Sequence, residues 1–350
     1  MTDQPARPQT VAGAPSGQTA DAAPRNWVQD LAPYRGADPA RSLFEVVITA
    51  VPFFGFWILA LALVGGGQWW GLVFTLPASL FLVRLFMIQH DCGHGSLFRS
   101  RETGDWLGRA IGVLTFTPYD YWRRLHAQHH ASAGNLDRRG VGDVRTLTVE
   151  EYRSLSARGR LAYRVFRSSA FLLLAAPVLL FVVNNRFPAK LFGSGRASWI
   201  SVWGTNIAIV AVAIALSLIF GFVAWLAVQV VISLISGAIG VWLFFVQHQF
   251  EGTYWAHDDD WAFETGALHG SSHYDLPEPI RWFTANIGIH HVHHLASRIP
   301  FYRLPKVLRD FPELREPRMT LRKSLGAARL ALWDERLQRL VSFREAAQSA

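Results

Sequence analysis

Two neighbouring runs, Trp199–Phe220 and Phe222–Val246, contain no charged residue, and each is longer than 20 residues. In hydrocarbon a chain must satisfy its own backbone polar groups, and a helical span needs about 20 apolar residues to cross. Val46–Val64 is a third uncharged run, and Trp70–Ile88 a fourth, broken only by Arg84. The link Gly65-Gly-Gly-Gln-Trp-Trp70 is short and uncharged, and its aromatics suit a membrane interface. The four runs predict four membrane-spanning helices in two antiparallel pairs. Arg84 lies near the end of its run, so its long side chain is expected to snorkel to the interface.

The rest of the chain is read against those spans. Of 350 residues, 51% are hydrophobic and only 17% charged, where a soluble domain carries about 25%. The net charge of +8 fits Lys and Arg flanking the spans, and no nucleic-acid-binding motif is present. Ten arginines between Arg123 and Arg167 mark that connection as cytoplasmic. Leu107–Phe116 and Ala170–Val183, ten and 14 residues long, are predicted to stay peripheral. Residues 1 to 26, rich in Ala, Pro, Gly, Thr and Gln, lack the apolar core of a signal peptide. They predict a disordered cytoplasmic tail over 1–40, followed by a membrane domain over 41–310. Beyond Pro317, Leu321, Leu325, Ala328, Leu332 and Trp333 fall broadly along one stripe among Arg and Lys. Residues 311–350 are therefore expected to form an amphipathic helical tail on the membrane surface. Cys92 is the one cysteine, so no disulfide can form within the chain.

Histidine supplies the chemistry. Nine of 13 histidines lie in three short boxes: His90-Asp-Cys-Gly-His94, His126-Ala-Gln-His129-His130 and His290-His-Val-His293-His294. On a helix, positions i, i+3 and i+4 share one face, and neutral imidazole ligates zinc, copper, iron and nickel. Leaving out His291, eight imidazoles exceed the three or four protein ligands of a zinc site. Eight suit two metals, and neighbours such as His129-His130, about 100° apart on a helix, can serve different ions. If the second and third boxes share a side, an even number of crossings separates them, and the two long runs supply two; Ala170–Val183 is then peripheral, both termini lie inside and all three boxes share one face. His-Glu-x-x-His is absent, which argues against a zinc peptidase, and so are the Glu-x-x-His pairs of soluble di-iron bundles. Spacing alone does not name the metal.

The boxes, in the order His-x-x-x-His, His-x-x-His-His, His-x-x-His-His, resemble those of the integral-membrane fatty acid desaturases. Their surroundings, His90–Phe98, His126–Asp137, Gln247–Glu251, Thr253–Trp255 and Gly270–Pro300, are similar to bacterial acyl-lipid desaturases of the Δ12 or omega-6 type. The resemblance implies an all-α integral membrane protein: four transmembrane helices, a cytoplasmic helical cap holding a di-metal site, and interfacial helices. It implies two iron ions ligated by His90, His94, His126, His129, His130, His290, His293 and His294, with His248 at the end of the last span as a ninth ligand. Asp91, Asp137 and Glu251 are candidate acceptors for imidazole N–H groups, and Asn286 could orient a ring or a bound water. His291 is expected to point away from the metals. His269-Gly-Ser-Ser-His273 mimics a further box, but its Gly and Ser and the nearby Pro277 favour a lining or surface role. His257, among three aspartates, reads as a solvated loop residue.

The implied reaction removes two hydrogens from adjacent methylenes of a membrane-lipid acyl chain, using O2 and leaving a cis double bond. Alkyl C–H bonds are too weakly acidic for any side-chain base, so the metal carries the chemistry and the protein supplies position. Tyr119, Tyr121, Trp122, Trp255 and Trp282 could line or close an apolar tunnel, or anchor the chain at the interface. Electrons are expected from a ferredoxin or a small b-type cytochrome, proteins usually acidic, which the arginine-rich face would complement. The implied location is a bacterial inner membrane with the metal site cytoplasmic. Two rival readings are a hydroxylase or ketolase using the same boxes, and a non-enzymatic metal carrier. A carrier would need polar residues near the bilayer midplane, which the long spans lack.

Overall fold

Asp38 begins the first long helix, accepting the N–H groups of Ala40 and Arg41 while Pro39 occupies the first turn. That helix is α1 (Pro39–Gly65). It is followed by α2 (Thr75–His94), then α3 (Arg101–Leu114) and α4 (Tyr119–Ser132). Two further long helices, α5 (Arg196–Phe220) and α6 (Phe222–His248), precede the short helices α7 (Phe263–His269) and α8 (His290–Leu295). The computed structural model describes residues 25–140, 144–188, 195–316 and 318–348. Among these residues four helices are long and apolar enough to span a membrane: α1, α2 with its lead-in from Trp69, α5 and α6. The protein is thus a mainly helical membrane protein.

The break between α5 and α6 is a single residue, Gly221, at φ +90°. Only glycine adopts that conformation without strain, so the chain reverses with no polar loop to mark the turn. The N-terminal ends of α1 and α5 lie level with the histidines: Ser42 donates to the Leu97 carbonyl at 2.6 Å, and Arg124 to Ser198 Oγ at 2.9 Å. Hence α1 and α5 run away from the histidine end, and α2 and α6 return to it. Leu107–Phe116 falls in α3 and its exit, a 14-residue helix packed on α2. The run Ala170–Val183 forms wide helical turns over Phe171–Ala175 and Val178–Val183, bent by 62° from the helix Ala157–Phe166.

Arg84 does not snorkel. Its side chain is 2% exposed and paired with the equally buried Glu45 carboxylate of α1. Nε donates to Thr49 Oγ1 at 3.1 Å, Nη1 donates to the Trp282 carbonyl, and the guanidinium stacks 3.9 Å from the Trp282 ring. A charge in so poor a solvent is tolerable only with its counter-ion and donors satisfied, and α1 lies close enough to supply both.

The tails differ from expectation as well. Residues 1–24 of the expected disordered tail lie outside the described residues. Residues 25–38 are folded: Trp27 and Tyr34 meet Phe311 edge-on, Leu31 is fully buried, and Arg25 pairs with Glu313. Three aromatics and a leucine bury enough apolar surface to order so short a segment. At the other end only Leu321–Ala327 and Phe343–Gln348 of the helical tail expected over 311–350 are α-helical among the described residues, and Leu321 and Leu325 are exposed. Leu332 and Trp333, counted in its stripe, are buried in strand β2 (Leu332–Asp334). This pairs antiparallel with β3 (Arg339–Val341), and in parallel with the two-residue strand β1 (Leu147–Thr148). The turn is made by Asp334, whose Oδ1 accepts from the Arg336 and Leu337 N–H groups, and by Gln338 at φ +50°. Local side-chain bonding of this kind competes with the helix, and apolar residues on both sides of the turn suit a hairpin.

Replacing Arg84 by Met should leave the buried Glu45 carboxylate only the half-exposed Arg41 as a cationic partner and cost up to about 3–5 kcal/mol. The double replacement E45M/R84M should regain most of that loss. Thermal unfolding midpoints of the detergent-solubilised protein measure both.

Candidate metal centre

Each histidine is delivered by the end of an element. The last turn of α2 carries His90 and His94, and the last residue of α6 is His248. The C-terminal half of α4 carries His126, His129 and His130, and α8 consists almost entirely of the third box. The ring nitrogens converge in two groups, within each of which they lie no more than 4.8 Å apart. One group holds His90, His94, His126, His130 and His293; the other holds His129, His248, His290 and His294. The adjacent residues His129 and His130 therefore fall in different groups, and so do His293 and His294. The groups meet where the rings of His130 and His294 stack at 4.0 Å.

In the five-membered group Nε2 of His126 lies 3.0 Å from that of His94 and 3.1 Å from that of His130. In the four-membered group Nε2 of His248 lies 3.1 Å from that of His129 and 3.0 Å from that of His290. A neutral imidazole has one donor and one acceptor nitrogen, so a ring nitrogen facing two others of its kind cannot satisfy all of them by hydrogen bonding. His293 Nε2 is buried with no hydrogen-bond partner among the described residues. Such a donor set, entirely of borderline nitrogen ligands, fits two divalent transition metals, iron included. The five-membered group exceeds the four ligands of a tetrahedral zinc, and the four-membered group equals them. Burial, reinforced by the neighbouring rings, holds His126, His130, His290, His293 and His294 well below the usual histidine range. They are therefore neutral at pH 7, the form that binds metal.

The outer contacts fix ring orientation. His248 Nδ1 donates to the Gly270 carbonyl at 3.1 Å, which turns Nε2 inward. His90 Nδ1 lies 3.4 Å from Asp91 Oδ1, while Asp91 Oδ2 accepts the Phe301 N–H at 2.8 Å. Trp122 stacks on His126 with ring centres 4.7 Å apart. Other residues singled out in the sequence lie elsewhere. Asp137 binds the exposed His257 and the Asp258 N–H, with one oxygen on each, and Glu251 is exposed. Both are corrected from acceptors of ligand N–H groups to surface residues; the loops that carry them turn outward. Asn286 Nδ2 donates to the Phe301 carbonyl at 3.2 Å, a backbone partner and not a ring. His291 donates to the Leu314 carbonyl at 2.6 Å and His273 to that of Arg315 at 2.7 Å. These two and His269 belong to neither group.

Two supports were invisible in the sequence. Arg84 bonds the Trp282 carbonyl and lies 5.3 Å from the Phe301 ring, so one guanidinium pins the segment bearing the third box at both ends. Arg167, buried, donates at 2.8 Å to both Gln249 Oε1 and the Leu330 carbonyl. Gln249 also donates to Thr146 Oγ1 at 3.0 Å, bracing the residue that follows His248. The pair of glutamines flanking His248 was the available signal for that brace.

A model of the family described as fatty acid desaturase matches residues 67–324. Over 321 residues, 91% of each chain, the sequence is 42% identical to a fatty acid desaturase of Bacillus subtilis. The chain belongs to the fatty acid desaturase family. An sn-1 acyl-lipid omega-3 desaturase (ferredoxin) of Synechocystis is 28% identical to this desaturase over 77% of each chain. An sn-1 oleoyl-lipid 12-desaturase of Picosynechococcus is 27% identical over 64% of each. The protein is a membrane oxidoreductase of the desaturase type, with histidine clusters suited to metal.

Two outcomes follow for the desaturase. His248→Ala leaves three imidazoles in its group, so bound metal per chain should fall to about half, read by elemental analysis of the purified protein. For the metal-free protein, histidines held below their unfolded value of about 6.5 make the unfolded state the stronger proton binder. Their contribution is complete above pH 6.5 and is lost as pH falls below it. Melting scans of the apo-desaturase between pH 8 and 5 should show that loss, and bound metal should suppress it.

Proposed function

We propose that this desaturase introduces a cis double bond into an acyl chain of a membrane lipid, at a Δ12- or omega-6-type position. The residues proposed to hold two iron ions are His90, His94, His126, His130 and His293 for one, and His129, His248, His290 and His294 for the other. The observation that carries this reading is that both imidazole groups sit at the ends of membrane-length helices. Among those helices a crevice is lined by Phe53 and Trp57 of α1, Leu114 at the end of α3, Phe116 beyond it, Val212 of α5, and Gln229 and Ile232 of α6. Its walls, aliphatic and aromatic apart from Gln229, suit a hydrocarbon chain.

Iron in the two groups would supply the activation of O2 that breaking unactivated C–H bonds demands. The chain's own contribution is position and dryness. The Gly270 carbonyl and the Asp91 carboxylate hold His248 and His90 in one orientation, and burial of the four-histidine group keeps water out. An acyl chain lying among the spans would have to present one pair of methylenes to the site. In balance, one O2 takes two hydrogens from the chain, two electrons from a carrier and two protons from water, and leaves as two water molecules. A ferredoxin is the carrier we favour. The arginines between Arg123 and Arg167 lie on the histidine end of the molecule, which supports a cytoplasmic site in a bacterial inner membrane.

Expression in a host lacking the activity, followed by fatty-acid methyl ester profiling with double-bond location, tests the reading. The expected product is two hydrogens lighter than its precursor with no added oxygen. A lipid gaining oxygen would instead identify a hydroxylase or ketolase. The same profile from a His130→Ala strain should fall to the host background; products retained there would favour a metal carrier.

A further inference from the structure

The two histidine groups differ in exposure. All four rings of one are buried, whereas His94 and His126 of the other are half-buried. An electron must therefore reach the pair from outside most directly through the five-histidine group, at the corner where α2 ends and α3 begins. Gly95, at φ +68°, closes α2 there, and the Arg101 guanidinium lies against it, donating to the Gly93 carbonyl at 3.0 Å. Trp122, half-buried, covers the His126 ring.

Charge separates the two sides in the same sense. Arg99, in the α2–α3 corner, and Arg298, four residues beyond His294, are exposed and have no charged or hydrogen-bonded partner among the described residues. The chain around Arg298 is tied to that corner: Phe301 donates to Asp91, and the Tyr302 and Ser42 hydroxyls lie 3.2 Å apart, with Ser42 donating to the Leu97 carbonyl. By contrast, the surface beyond His129 and His248 carries Asp137, Asp258, Asp259, Asp260 and Glu335. The arginines of the Arg123–Arg167 connection, expected to face a donor, are largely engaged: Arg138 with Asp258, Arg139 with Glu151, Arg164 with the Tyr152 hydroxyl, and Arg167 inside the molecule.

We propose that a small acidic electron-carrier protein docks on the face presenting Arg99 and Arg298, over the exposed edge of the five-histidine group. The proposal rests on the desaturase reading above. Each docked carrier gives up one electron and leaves oxidised, so two dockings serve each double bond, with O2 as the final oxidant. Complementary rim charge acts mainly on the association rate and is screened by salt, which defines the test.

The full-length desaturase in neutral phosphatidylcholine nanodiscs is titrated with a plant-type [2Fe–2S] ferredoxin, and binding is followed by biolayer interferometry. The variant R99E/R298E should weaken binding about tenfold or more at low ionic strength, mostly through slower association, and converge on wild type as salt is raised. R99Q/R298Q should fall between the two. D259K, on the acidic side, should bind as wild type does. In turnover, the charge-reversal variant should raise the apparent KM for ferredoxin while kcat at saturating ferredoxin stays within about twofold. Unchanged affinity in both arginine variants, or a response to D259K larger than theirs, would overturn the docking face. Failure of the wild type to form any double bond, with ferredoxin binding intact, counts against the desaturase reading alone.

Discussion

Imidazole nitrogens crowded within about 3 Å of one another repel unless protons or cations stand between them. In this protein nine such rings are gathered where two membrane-length helices end, in surroundings that exclude the charged imidazolium form. Everything else in the architecture bears on that crowding. Helices deliver the rings, and a ring of polar contacts keeps them from turning away. The stability of the arrangement without metal is accordingly tied to proton uptake, and the arrangement with metal exchanges repulsion for coordination.

The supports come from parts of the chain far from the boxes. The Glu45–Arg84 pair, buried between α1 and α2, holds both ends of the third box through Trp282 and Phe301. Asp91 lies between His90 and Phe301, so the first and third boxes share one carboxylate. On the opposite side Arg167 and Thr146 hold Gln249 beside His248. Ionic groups that would be costly in isolation serve here as fixed points, because each is satisfied by more than one partner.

Much of this is legible in the amino-acid sequence. Uncharged length fixed the four spans, because backbone satisfaction in hydrocarbon leaves so few alternatives. The i, i+3, i+4 spacing of histidines in three boxes foretold rings meeting in one place. What stayed hidden was the pairing of groups distant in sequence. Nothing local to Arg84 reveals Glu45 on the neighbouring helix, so an ordinary snorkelling reading prevailed. Asp137 follows its box closely, yet its loop turns it toward His257. At the C-terminus a plausible helical stripe gave way to a hairpin, because Asp334 and Gln338 make a turn that apolar periodicity does not register.

The tie from Arg167 to Leu330 joins stretches far apart in the sequence. Leu330 lies two residues before the hairpin strand Leu332–Asp334, and its carbonyl shares the Arg167 guanidinium with Gln249, the neighbour of His248. Loosening the C-terminal hairpin would thereby be felt beside a proposed metal ligand, so the firmness of the hairpin and the set of the His248 ring are linked.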